Sequence, residues 1–245
     1  MGKIQLAIDA GNTMVKIEIH NGHDFIASVK SPSISLQELQ NIIHRYKPEA
    51  AILASVRKQK TELVNALKEL NTYIELKHTT PLPISLHYES PETLGLDRLA
   101  AAVGAHSLFP AKNVLIIDAG TCITIDLLTE DAIYEGGSIL PGIDMKFKAL
   151  HNYTDKLPLL MRPVEIPLSG KNSKTSIQSG IMHGTLLEIE GFIDFYSSSF
   201  PDLQVIITGG DSKLFETTLK SKIFAYPKLV AIGLIKILEH NDVKA

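Results

Sequence analysis

The sequence predicts an α/β fold built from two similar halves, and two observations carry that prediction. Strand-like and helix-like patterns alternate along the chain, as layered sheet-and-helix domains require. The stretch IDAGNTMVKIEI, which starts at Ile8, returns little changed as IDAGTCITIDLL, which starts at Ile117. Internal duplication of this kind is a fold-level signal. With 245 residues, 44% of them apolar, the chain can bury two ordinary domain cores. The boundary is expected near Pro110, giving halves at 1–110 and 111–245.

The elements follow in order. Lys3 to Asp9 and Val15 to His20 alternate and pair as a hairpin about the Gly11-Asn12 turn. In SLQELQNIIHRY, Leu36, Leu39, Ile42 and Ile43 share one helical face. AAILASV at 50–56 reads as a buried strand, KTELVNALKEL at 60–70 as an amphipathic helix, and YIELKH at 73–78 as a strand. Residues 79–98 hold three prolines and little periodicity, and a loop of that length in a compact domain is often functional. LAAAVGAHSLF then forms a helix that Pro110 closes. The second half restarts with strands at Val114 to Asp118 and Cys122 to Leu128, turning at Gly120-Thr121. AIYEGGSILPG adds a strand. Residues 151–175 are Pro-rich and polar and predict a mobile loop. A long helix follows from about Ser176 to Ser199, then the strand and turn QVIITGGD and a C-terminal helix.

Composition excludes several classes. Net charge is −3, from 24 basic and 27 acidic residues without a Lys/Arg block, so neither nucleic acid nor a membrane surface is an expected partner. Cys122 is the sole cysteine, so no intrachain disulfide forms; it reads as buried and inert. The opening MGKIQLAIDAG lacks a signal layout, and LVAIGLIKILEH, broken by Lys236, is too short to cross a bilayer. The expected location is cytoplasmic. The nine histidines show no zinc spacing.

The repeated turn carries the chemistry. A Gly at the tip of a tight strand-turn-strand lets backbone N–H groups approach an anion. Asn12, Thr13 and Thr121 add short polar groups, and Asp9 and Asp118 end their strands with carboxylates suited to a hard cation. One DAGN or DAGT alone is an ordinary turn; two with the same flanks point to the phosphates of ATP. IITGGD at 206–211 offers bare backbone against which an adenine or ribose can lie. No Walker A or G-x-G-x-x-G motif occurs.

The whole chain resembles the actin/hexokinase/sugar-kinase superfamily, which implies two duplicated ribonuclease-H-like (actin-like ATPase) domains with an interdomain nucleotide cleft. YESPETLGLDR at 88–98 is similar to the Y-x-x-P-x-x-L-G-x-D-R signature of type III pantothenate kinases, matched by Tyr88, Pro91, Leu94, Gly95, Asp97 and Arg98. The segments at 9–16, 117–126, 136–142, 170–180 and 207–211 follow the family's order. The resemblance implies ATP-dependent phosphorylation of pantothenate with Asp97 as general base. Tyr88, Gly95, Leu96, Arg98 and Ser173 are then substrate contacts. Asp9, Ala10, Gly11, Asn12, Thr13, Met14, Val15 and Lys16 surround the ATP phosphates, with Asp9 near Mg²⁺. Thr121 contacts ATP, and Asp118 holds a monovalent cation, K⁺ or NH₄⁺. Two positions depart from the pattern: Ser173 stands where Thr is common, and Leu99 where an aromatic residue often follows Asp-Arg.

Each residue also has a plainer reading. Asp97 can cap the following helix, Tyr88 can be half-buried core, and Lys16 can be a solvated strand lysine. The resembled family is dimeric, its pantothenate pocket completed by the partner subunit. The helix bearing Ile181, Leu186, Ile189, Phe192, Ile193 and Tyr196 is either that interface or ordinary core. A nucleotide-binding regulator and a kinase for another small alcohol are the competing functions.

Overall fold

A computed structural model describes residues 2–11, 13–22, 24–55 and 60–242. They form two compact units. The first comprises Met1–Pro110, Ala132–Tyr134 and Lys228–Ala245; the second, Ala111–Asp131 and Glu135–Pro227.

In the first unit, β1 (Ile4–Ala10), β2 (Val15–Asn21) and β3 (Asp24–Ser31) form an antiparallel meander. Helix α1 (Leu36–Tyr46) leads to β4 (Ala50–Ser55), and α2 (Thr61–Lys68) to β5 (Thr72–Glu75). The sheet order is β3-β2-β1-β4-β5, with β4 parallel to β1 and β5. Val56, the last residue of the expected 50–56 strand, lies outside the described residues. Leu6, Ile8, Ile17 and Ile19 point to one face and pack against Leu39, Ile42, Leu63 and Leu67 of α1 and α2. Ser35 starts α1 with a full capping box, its Oγ accepting from Glu38 N at 3.2 Å while the Glu38 carboxylate accepts from Ser35 N at 2.8 Å.

The long segment at 79–98 is more structured than expected. It holds β6 (Ser85–Leu86) and a 3₁₀ turn (Pro91–Thr93). Helix α3 (Leu96–Leu108) then begins before Leu99.

In the second unit, β7 (Val114–Ala119) and β8 (Cys122–Leu128) form the second hairpin, followed by β9 (Ile133–Pro141). The opening residues of β9, Ile133 and Tyr134, pair with β6 and belong to the first unit. Then come α4 (Ile143–Asn152), α5 (Ser173–Ser199), β10 (Gln204–Thr208), α6 (Ser212–Thr218) and β11 (Phe224–Ala225). The strands run β11-β10-β7-β8-β9. Ile117, Ile125 and Ile207 pack beneath Ile181, Ile189 and Ile193 of α5. Residues 153–172 form no helix or strand. Their carbonyls are tied to α5, where Gln178 and Ser179 donate to Met161 O and Leu168 O at 3.1 and 3.2 Å.

The C-terminal helix α7 (Leu229–Asp242) corrects the expected division, because it joins the first unit. It packs against α3, β1 and β4. A Cβ on Gly233 would overlap the Ala100 carbonyl oxygen, and one on Gly104 would lie 2.5 Å from that of Leu229. Two glycines thus let the α3 and α7 backbones touch. The end of α7 is fixed by Asp242, which accepts from Lys3 Nζ and from Thr72 Oγ1 at 2.7 Å. A buried helix is apolar on most of its surface, so its sequence does not say which sheet it covers.

Candidate active site

In the first unit the hairpin register runs to Asp9 opposite Lys16 and Ala10 opposite Val15. The turn then closes with Gly11 N donating to Met14 O at 3.0 Å. Asn12 lies outside the described residues. Thr13 is exposed, Gly11 and Met14 are half-buried, and Ala10 and Val15 are core. Asp9 and Lys16 are both half-buried.

Burial pushes the Asp9 carboxyl up to about 6. Lys16 opposes that rise, and the negative charges of Asp97 and Glu18 add to it. The helix α3 therefore brings Asp97 into the electrostatic range of the first turn. Asp97 is exposed and sits in the first turn of α3, where a carboxylate also complements the helix dipole. It does not cap the helix: Gly95 is the N-cap residue, and no side chain caps it. The Asp97 Oδ1 accepts from Arg98 N at 2.9 Å. Gly95 makes room for it, since a Cβ there would stand 2.5 Å from Asp97 Oδ1. Arg98 is only 7% exposed, and Leu96 is also buried. Tyr88 is half-buried, with its ring centroid 6.0 Å from that of Tyr134. The sheet hairpin and α3 thus gather Asp9, Lys16, Asp97 and Arg98 in one unit.

Asp118, Thr121 and Ser173 belong to the second unit. Asp118 is half-buried near the end of β7. The turn after it closes with Gly120 N donating to Cys122 O at 2.9 Å. Gly142 N donates to Thr121 O at 3.1 Å, and Asp211 N to Ala119 O at 2.9 Å, so the GGSILPG and ITGGD segments both seat on this turn. Gly209 has φ +90°, and a Cβ there would overlap Ala119 O and Asp118 Oδ1; only glycine fits. Thr121 is exposed. Ser173 is exposed at the first position of α5, whose N-cap Asn172 accepts from Thr175 N at 2.9 Å. Cys122 is exposed, which corrects the expectation of burial. It opens β8 at the turn, while its neighbours Ile123 and Ile125 take the core face.

Sequence reasoning missed three features. Glu18 and His20 are buried on the face that carries Lys16, with His20 Nε2 3.4 Å from Glu18 Oε2. Their signal was the two-residue strand period running from Lys16. Asp126, 1% exposed, lies on the Asp118 face by the same parity. Arg162 grips Asp211 bidentately, at 2.6 and 3.0 Å, and also reaches Asp144; no local pattern announces that long-range clamp.

Among the described residues, no group of three or more His, Cys, Asp or Glu could hold a metal ion. The first turn still suits a divalent cation. Burial first, and then the negative charges of Asp97 and Glu18, disfavour a bare Asp9 carboxylate, while Lys16 opposes them. A cation brought by a polyphosphate would offset that penalty. Among the described residues, no helix is long and apolar enough to cross a membrane.

Residues 5–194 match the family model described as type III pantothenate kinase. A type III pantothenate kinase from Phocaeicola vulgatus is 41% identical over 240 residues, covering 98% of this chain and 99% of the relative. A Campylobacter jejuni structure described as a Baf family transcriptional activator aligns with a TM-score of 0.63 at 20% identity, covering 97% of this chain and 99% of that one. A glucokinase structure from an Antarctic psychrotroph aligns at 0.53 and 12% identity, covering 98% and 100%. At those identities the structures show the fold alone. The identity to the curated relative, its near-complete coverage and the family match together show that this chain belongs to the type III pantothenate kinase family.

Proposed function

We propose that the chain transfers the γ-phosphoryl group of ATP to the primary hydroxyl of pantothenate, giving 4′-phosphopantothenate for coenzyme A synthesis. The observation that carries this reading is the placement of an exposed Asp97 carboxylate within electrostatic range of the Asp9 turn, inside the signature segment Tyr88–Arg98. Asp97 accepts or orients the hydroxyl proton as the new P–O bond forms and the bond to ADP breaks. Arg98 pairs with the pantothenate carboxylate, for which a guanidinium fork is suited. Tyr88, Gly95, Leu96 and Ser173 line the substrate.

The turn from Asp9 to Lys16 receives the ATP phosphates on its backbone, with Lys16 balancing their charge. Asp9 would hold Mg²⁺, which neutralises developing phosphate charge when bound. Thr121 contacts ATP, and Asp118 holds K⁺ or NH₄⁺. Since ATP is its phosphoryl donor, the chain works in the cytoplasm. A substrate panel tests the reading. ADP release should require pantothenate, while glucose, N-acetylmannosamine and glycerol should leave it at background. Turnover with a sugar and none with pantothenate would reassign the substrate.

The homodimer belongs to the same proposal. On α5, Leu187 and Phe195 are 71% and 67% exposed, and Gly191 lies between them on one stripe with nothing near its Cβ position. A groove of about 680 Å³ beside them is lined by α4 and α5 and includes Gly180 and Gly184. Both features leave α5 open to a second copy. Leu187→Asp combined with Phe195→Asp should convert a dimer to a monomer in sedimentation velocity; an unchanged sedimentation coefficient would move the interface elsewhere.

A further inference from the structure

Thr124 is a polar residue of the second unit that the mechanism above leaves unused. In register, Thr124 of β8 lies opposite Asp118 of β7, and Thr208 of β10 lies beside Asp118 on its other edge. Registered neighbours direct their side chains to one face of a sheet. A hydroxyl, a carboxylate and a second hydroxyl therefore form a row across three strands. The Thr124 Oγ1 is buried, and among the described residues it has no hydrogen-bond partner. A buried hydroxyl left unpaired is costly, and in native folds it calls for an explanation.

The surroundings supply one. Gly209, held at φ +90°, keeps any side chain off the Asp118 carboxylate. The row offers oxygen alone, without His or Cys, which suits a hard cation and not a soft one. The row itself carries one carboxylate between two neutral hydroxyls, and the buried Asp126 lies on the same face at that face's next register pair, opposite Ile116. A hydroxyl oxygen can ligate K⁺ or accept from NH₄⁺, so it serves either ion. We infer that Thr124 Oγ1 is a second protein ligand of the monovalent cation at Asp118. The inference rests on the reading of Asp118 as the cation residue.

The test is binding, read without turnover. Melting temperatures are measured for the wild type and for Thr124→Val, Thr124→Ser and Asp118→Asn, at fixed ionic strength, as KCl replaces choline chloride. Cation binding to the folded state raises Tm by mass action. The wild type should respond to K⁺, and Asp118→Asn should not. Thr124→Val should need about ten-fold more K⁺ or more for the same rise, while Thr124→Ser stays close to wild type. In choline alone, Thr124→Val should melt about 2–4 °C above the wild type, because the unpaired hydroxyl is gone. A purely structural threonine would not move the K⁺ response. A wild-type response in Thr124→Val, with that of Asp118→Asn lost, would overturn the inference and leave the Asp118 reading intact. No response to K⁺ or NH₄⁺ in the wild type would remove both. If Thr124→Val fails to fold, Thr124→Ala replaces it as the hydroxyl-free variant.

Discussion

Asp97→Asn is expected to lower kcat by about 10² to 10⁴-fold, the usual worth of a positioned general base. The variant keeps the shape of the side chain and its place in the first turn of α3, so folding should be little changed. A second effect separates its role from a merely structural one. Asp97 is among the charges that raise the Asp9 carboxyl, so losing it should let Asp9 titrate below about 6. The acid limb of ATP binding, followed by fluorescence or calorimetry, should therefore move to lower pH as turnover collapses. A fall in kcat of less than about ten-fold would take the proton-handling role away from Asp97.

Asp9→Asn should separate stability from function in the opposite sense. Burial raises the Asp9 carboxyl from 3.8 to about 6 in the folded chain. A carboxyl raised on folding contributes stability that is fully present below its unfolded pKa and is lost as pH rises through its folded pKa. The ligand-free protein therefore loses stability between about pH 4 and 6 from this group. Near neutral pH the ionised Asp9 costs up to about 2 kcal/mol, allowing for its partly solvated edge and for Lys16. Asparagine carries no such cost. The ligand-free variant should melt several degrees higher at about pH 8, and the difference should shrink towards about pH 4. Turnover should meanwhile fall by about 10²-fold or more, because the phosphate turn has lost its only strand-end carboxylate. A variant that melts lower than wild type at about pH 8 would show that Asp9 is stabilised by a partner and not strained by burial. Strain of this kind, relieved by ligand, is a common cost of a working site.

The two duplicated turns and their flanking strands were legible in the sequence because a hairpin is local: period-two alternation and a Gly tip fix it within about a dozen residues. Helix α1 was legible from its apolar face of Leu36, Leu39, Ile42 and Ile43, and its start is equally local, in the capping box of Ser35 and Glu38. Other features needed distant residues. The edge strand β3 carries Phe25 and Ile26 exposed, so it shows no clean alternation. Helix α4 buries only Ile143 and Phe147 completely, too few to stand out as a stripe. The place of α7 follows from Gly104 meeting Leu229 and Gly233 meeting Ala100, contacts made across more than half the chain. At the site, the residue types of the signature segment were readable, but the electrostatic link between Asp97 and Asp9 was not. It exists because the start of α3 brings Asp97 within electrostatic range of Asp9, near the end of the central strand β1. Thr124 was passed over for a similar reason, since its meaning lies in the register with Asp118 and Thr208 on two neighbouring strands.

The most direct measurement is ³¹P NMR of the product formed from ATP, Mg²⁺ and pantothenate in K⁺ buffer. A phosphomonoester resonance that matches 4′-phosphopantothenate, grows in step with ADP and is absent with Asp97→Asn is the predicted result. ADP accompanied only by free phosphate, or no reaction in either K⁺ or NH₄⁺, would contradict the phosphotransfer assigned to these residues.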